Sequence, residues 1–199
     1  MFRSRKKLRF FLLKYIYMPK SSHKDRKYQI VPTDPAWVER FQLLENQFTQ
    51  IFDDCQPDIH HVGGTAITDL PSQPIVDVLV IVPDIHCLDR QFTQLKQFGY
   101  EIEFDYVGPE TILVSKEKDN TRIENIHILP QGHKLIDSFL IVKEYWQSHP
   151  EKVSEYGDKK LELFAEYPQS YDKYREHRDA WLEKFKKKEI MPWFKAQSS

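Results

Sequence analysis

An α+β fold is predicted for this chain, with a mixed, antiparallel-leaning sheet flanked by helices and a helical bundle at the C-terminal end. Three observations carry that expectation. Strand-like alternation and helical periodicity interleave from Tyr28 to Leu129, the pattern from Leu135 onward is helical alone, and Ile75 to Val82 is apolar except at Asp77. A length of 199 residues with 40% hydrophobic and 14% aromatic content is enough to fill one substantial core. The expected organisation is a basic leader and linker over residues 1–27 and a single domain over 28–199, divided into an α/β part (28–130) and C-terminal helices (131–199).

Charge is distributed unevenly. Residues 1–27 hold ten Lys or Arg against one acid, Asp25, whereas the remainder holds 19 against 29 acids. A basic leader therefore precedes an acidic body. Leu8, Phe11, Leu12, Tyr15 and Ile16 would share one helical face, but Lys14 interrupts the apolar run and no small-residue cleavage site follows, which argues against a secretion signal. The preferred reading is a helix docked on the body. Contact with an anionic membrane surface or a nucleic acid through residues 3–20 is the alternative. No apolar run reaches the roughly 20 residues of a membrane span. Cys55 and Cys87 are too sparse for a disulfide-stapled secreted fold and fit no zinc spacing, so they are expected to be packed thiols in a reducing, cytoplasmic compartment.

Along the body, Tyr28 to Val31 alternates like an edge strand. Asp34-Pro35-Ala36-Trp37 supplies an N-cap and a proline at the first helical position, after which Trp37, Phe41, Leu44 and Phe48 line one face of a helix running to about Phe52. Asp58 to Val62 is a strand leading to Gly63-Gly64, Thr65 to Leu70 a short helix, and Ile75 to Val82 a central strand ended by Pro83. Leu88 to Phe98 reads as a helix stopped by Gly99, and Tyr100 to Tyr106 as a strand. Thr111 to Lys116 and Arg122 to Leu129 form a strand pair. Three helices follow at Leu135 to His149, Lys152 to Tyr167 and Ser170 to Phe185, and the cluster Lys184 to Lys188 is read as a solvated face.

Two glycines at a turn let backbone N–H groups approach a phosphate, and a carboxylate in a buried strand is costly unless it is paired or holds a metal. Gly63, Gly64 and Asp77 therefore suggest a nucleotide site. His60, His61 and His127 form a second candidate group, able to donate to an anion, act as a base or join Asp77 on a metal. There is no Walker-type Gly-Lys-Ser/Thr, no Gly-x-Ser-x-Gly elbow and no activated cysteine.

His61-Val62-Gly63-Gly64-Thr65 followed by Asp77 resembles the nucleotidyltransferase-fold superfamily, and more closely the GrpB family. The family's Pro-x-Asp-Pro-x-Trp appears as Pro32-Thr33-Asp34-Pro35-Ala36-Trp37, its Lys-Pro-h-h-Asp as Gln73-Pro74-Ile75-Val76-Asp77, and its paired-histidine strand as Asn125-Ile126-His127. The resemblance runs from about Tyr28 to Phe185. Departures include Gly64 for a serine, Asp69 for a glycine, Gln73 for a lysine, Asn125 for a histidine and Arg178 for a lysine. Active transferases carry a second carboxylate two residues past the first, and here that position is Leu79.

The resemblance implies a nucleotidyltransferase-like fold and a Mg²⁺-dependent transfer or binding of a nucleoside triphosphate. In that scheme Gly63, Gly64, Thr65, Lys160 and Arg178 hold the nucleotide, Asp77, His61 and His127 are the catalytic candidates, and Asp77 holds metal with a third-strand acid. Glu101, Glu103 and Glu124 are the candidates for that acid, with Glu124 assigned to it. Because Leu79 removes one ligand, a non-catalytic module binding a small anion or a partner is the competing expectation.

Overall fold

The computed structural model describes residues 27–197. The predicted leader helix and its membrane or nucleic-acid contact lie outside the described residues. Among these residues, no helix is long and apolar enough to cross a membrane.

Helix α1 (Ala36–Ile51) starts as its sequence dictates: the Asp34 carboxylate accepts the Ala36 N–H at 2.9 Å, and Trp37, Leu44, Phe48 and Ile51 are buried. Strands β1 (Asp58–Val62) and β2 (Val76–Val82) follow, then a six-residue helix α2 (Phe92–Gln97). Strands β3 (Glu101–Phe104), β4 (Ile112–Lys118) and β5 (Thr121–Pro130) complete a five-stranded sheet ordered β1-β2-β5-β4-β3. Only the β2–β5 pairing is parallel, so the sheet is mixed and antiparallel-leaning, as expected, with β5 at its centre.

Alternation divides the sheet into two chemically distinct faces. Val76, Val78, Val80, Val82, Ile112, Val114, Ile126 and Ile128 pack with α1 and with Leu95 of α2 in the largest core. On the other face Val62, Leu79 and Leu129 are sealed by Leu135 and Ile136 of helix α3 (Lys134–Ser148). Helices α4 (Pro150–Glu166), α5 (Tyr171–Phe185) and α6 (Met191–Gln197) build the C-terminal bundle, where the Trp146 and Tyr156 rings stack at 5.1 Å and Tyr156 and Trp181 at 5.3 Å.

Several expectations are corrected. Thr65 to Leu70 is not a helix; a single 3₁₀ turn covers Gly64–Ala66. Leu88 to Phe98 is a 3₁₀ turn at Ile85–Leu88 plus the short α2. Tyr28 to Val31 joins no sheet edge: Val31 exchanges two backbone hydrogen bonds with Ser72, at 3.0 and 2.9 Å, and so ties down the loop after the glycines. Cys55 and Cys87 are not free thiols. They lie in two adjoining 3₁₀ turns, are joined by a disulfide, and have Cα atoms 5.7 Å apart, within the normal bridging range. A 32-residue separation does not reveal this, because only the fold brings the two turns together. The argument from free thiols to a reducing compartment falls with it. Finally, the Lys184 to Lys188 cluster is not uniformly solvated. A π-helical turn over Lys186–Ile190 tucks Lys186 inward until it is buried.

Candidate functional site

A cavity of about 290 Å³ opens between the Gly63-Gly64 turn, the loop at Leu70–Ile75 and helices α3, α4 and α5. Asp77 and Asn125 form its floor on the sheet. Lys143, Lys160, Arg175, Arg178 and Lys186 reach it from the helices, and Asp179 is the second acid on its wall.

The two glycines are required first by the protein's own side chains. Gly63 has φ +74, and a Cβ there would collide with Asp77, whose own Cβ would be 3.0 Å away. A Cβ on Gly64 would collide with the Ser72 hydroxyl and lie 3.3 Å from Lys160 Nζ. The turn thus threads between a carboxylate and an ammonium. Gly157, one helical turn before Lys160, presses against Pro71, where an added Cβ would be 2.9 Å from the ring. That close approach sets Lys160 Nζ 2.7 Å from Ser72 Oγ, which in turn donates to the Leu70 carbonyl at 3.1 Å.

Asp77 is held from one side. Asn125 Nδ2 donates to its Oδ1 at 2.8 Å, and Arg122 donates to Asn125 Oδ1 at 3.2 Å, which fixes the amide's orientation. His127 Nε2 stands 3.6 Å from the same Asp77 oxygen, while its Nδ1 meets the Tyr106 hydroxyl at 2.8 Å. Burial, followed by the Asp77 and Glu103 charges, raises the Tyr106 pKa, so the phenol is neutral throughout the physiological range. His127 is buried and braces Asp77 from below the cavity.

His61 is a different case and corrects its catalytic assignment. In register His61 pairs with Val78 and Val62 with Asp77, so the His61 ring projects from the face opposite Asp77. It stacks on Phe41 of α1 with centroids 4.8 Å apart, and its Nε2 is 3.0 Å from Thr65 Oγ1. Because Thr65 Oγ1 donates to the Ile75 carbonyl at 3.1 Å, the His61 nitrogen is the donor in that contact. Burial, then the Lys143 charge, lowers the His61 pKa to about 4, partly offset by Asp77. His61 and Thr65 are therefore braces for the turn, and the Thr65 hydroxyl is not turned to the cavity.

Glu124 is displaced from its assigned metal role by the same geometry. It pairs with Val76, one residue from the Asp77–Asn125 pair, and so points into the opposite core. There it is 1% exposed, bound by the Arg40 guanidinium and by the Tyr100 hydroxyl at 2.7 Å. Leu79, at the position where the resemblance places a second carboxylate, is fully buried under α3. Glu101 and Glu103 stand on the outer strand β3. Among the described residues, no group of three His, Cys, Asp or Glu side chains could hold a metal ion. A single carboxylate, with one oxygen already bonded to an amide, does not fit a two-magnesium transfer centre.

The cationic wall is more extensive than the sequence suggested. Lys160 and Arg178 are where they were expected, but Lys143, Arg175 and Lys186 add to them. Burial, then the nearby Arg178, lowers the Lys160 pKa well below the usual lysine range. Arg178 shares Asp179 through two hydrogen bonds, at 3.0 and 2.7 Å. Tyr174 is 0% exposed, lines the cavity, and its hydroxyl has no hydrogen-bond partner among the described residues. A helical stripe of aromatics gives no sign of such an orphan, and Lys186 is aimed inward only by the π turn.

Lys186 makes the site pH-sensitive. Burial lowers its pKa to about 8 against the opposing pull of Glu183 and Asp179, with Arg178 adding repulsion. The unfolded chain, with a lysine pKa of about 10.4, binds more protons between pH 8 and 10.4, so the penalty is full below about 8 and is relieved as pH rises. Relative to Lys186→Met, the wild-type chain is expected to gain on the order of 3 kcal/mol across that window in denaturant titrations.

A mixed five-stranded sheet between helices, with a Gly-Gly turn laid against an aspartate of the adjoining strand, defines an α+β domain with one concave site on its sheet. The family follows from comparison: the family model described as GrpB protein matches residues 27–188, and the chain belongs to that family. The crystal structure of the conserved protein GrpB from Enterococcus faecalis superposes with a TM-score of 0.75 at 27% identity, covering 83% of this chain and 99% of that one. The UPF0157 protein YqkA of Bacillus subtilis is 28% identical over 157 residues, which is 79% of this chain and 46% of that protein. A UPF0157 protein of Pseudomonas aeruginosa is 25% identical over 162 residues, 80% of this chain and 66% of the relative. The chain thus spans about half to two thirds of the length of these two relatives.

Proposed function

We propose that this chain binds a nucleotide or a related phosphate ester in the Gly63-Gly64 cavity, without a two-metal transfer centre. The observation that carries the reading is the concentration of charge. Lys143, Lys160, Arg175, Arg178 and Lys186 line one small cavity against only Asp77 and Asp179. Burying like charges together costs free energy that an anionic ligand offsets, and Lys160 and Lys186 both feel the repulsion of Arg178. The volume of about 290 Å³ sits at the lower end of the roughly 300–1,000 Å³ of small-molecule sites, which suits a compact phosphate ester.

Thermal unfolding with a panel of nucleoside mono-, di- and triphosphates, in EDTA and in Mg²⁺, tests this. A ligand at about 100 times its Kd contributes about 2.7 kcal/mol, a rise of roughly 5–10 °C for a domain of this size. At least one nucleotide is expected to give that rise in EDTA as well as in Mg²⁺. A shift seen only with Mg²⁺, coupled to turnover, would restore the metal-dependent transferase. No shift with any of them would remove the nucleotide reading.

A further inference from the structure

We propose that Asp77 recognises a hydroxyl group, and that the ligand is a hydroxyl-bearing phosphate monoester, a sugar phosphate or mononucleotide, bound with its phosphate on the helical cations. The inference rests on the anion-binding reading above and assigns the opposite end of the same cavity.

The argument starts from two unmatched groups. Asp77 Oδ1 is occupied by the Asn125 amide, with His127 close behind, whereas Oδ2 accepts no hydrogen bond among the described residues and lies beside Gly63. The Arg122–Asn125 and Tyr106–His127 contacts both act on the bonded side and leave Oδ2 as the open acceptor. The Tyr174 hydroxyl is the reverse, a buried donor with no acceptor among the described residues, and the Arg178 guanidinium lies 5.6 Å from the Tyr174 ring centroid.

A buried donor left unpaired is costly, so the Tyr174 end suits a ligand acceptor, while the open oxygen of the part-exposed Asp77 suits a ligand donor. Asp77 and Lys160 face each other across the glycine turn and form no ion pair, yet each lies within reach of the other's charge. A ligand spanning them needs a donor for the carboxylate and a negative acceptor for the ammonium. A free phosphate dianion offers no such donor and would be repelled by Asp77. A neutral alcohol would bring no counter-charge to Lys160, Arg178 and Lys186, which outnumber the acids on that wall. A phosphate monoester carrying a hydroxyl a few bonds from its phosphorus satisfies both ends at once. Charge repulsion at Asp77 fixes which way round it lies.

Calorimetric titration of the full chain in EDTA with ribose 5-phosphate and with n-pentyl phosphate, equal in charge and differing in hydroxyls, tests the assignment. Wild type is expected to bind ribose 5-phosphate at least tenfold more tightly. Asp77→Ala should reduce that preference to less than threefold while n-pentyl phosphate binds as well as before or better. Asp77→Asn, which keeps the side chain's shape, serves if the alanine variant does not fold, with a fall in preference of at least fivefold. Arg178→Met should weaken both esters equally. If wild type binds both esters alike, or the preference survives in the Asp77 variants, the hydroxyl assignment is overturned while anion binding stands. If neither these esters nor any nucleotide binds, the anion reading fails and takes this inference with it.

Discussion

Gly63→Ala is expected to lower the unfolding free energy by about 3 kcal/mol or more and to abolish ligand binding in whatever fraction remains folded. Two costs act together. The residue sits at φ +74, ψ −168, a region that a Cβ disfavours by about 1–3 kcal/mol, and the added methyl would strike the Asp77 carboxylate. Relief requires either a shift of the turn away from β2 or rotation of Asp77 off the Asn125 amide, and each route dismantles the cavity floor. Urea unfolding with a chemical-shift map of β2 measures both effects. A loss below about 1 kcal/mol with Asn125 unperturbed would show that the turn relaxes freely.

Arg40→Met is expected to be comparably severe, about 3 kcal/mol, although Arg40 is remote from the cavity. Its guanidinium is the cationic partner of Glu124, whose side chain is 1% exposed. Removing the guanidinium leaves a buried carboxylate whose remaining side-chain hydrogen-bond donor among the described residues is the Tyr100 hydroxyl. The double variant Arg40→Met with Glu124→Gln should recover more than half of the loss, because the orphaned charge is gone. Denaturant midpoints of the three variants test this as a double-mutant cycle, and a double variant less stable than Arg40→Met alone would contradict it.

Much of the fold was legible because long periodic segments carry their own evidence. The Asp34 hydrogen bond at the start of α1, the strand at Asp58–Val62 and the helices from α3 onward are set by local pattern and adjacent turn chemistry. The site was only half legible. Gly63, Gly64, Asp77, Lys160 and Arg178 come together as the family motif implies. His61 and Glu124 do not, because strand alternation assigns a residue to one face or the other and a motif spelled along the chain does not display which. Neighbours in sequence, such as Glu124 and Asn125, end on opposite sides of the sheet. The inward turn of Lys186 depends on a π-helical register that continuous helical periodicity conceals. The Cys55–Cys87 bond depends on two turns meeting in space.

The packing of Gly64 against Ser72 and Lys160 also constrains how this chain can change. The resemblance places a serine where Gly64 stands, yet here a side chain at that position would occupy the space of the Ser72 hydroxyl. The three positions form one epistatic unit drawn from a turn, a loop and a helix. Glycine at 64 is what permits a hydroxyl at 72, and that hydroxyl is what receives the ammonium at 160. Replacing Gly64 with serine alone should be harmful, whereas the same serine after Ser72→Gly should be tolerated, so the order of substitution decides which sequences are reachable from this one.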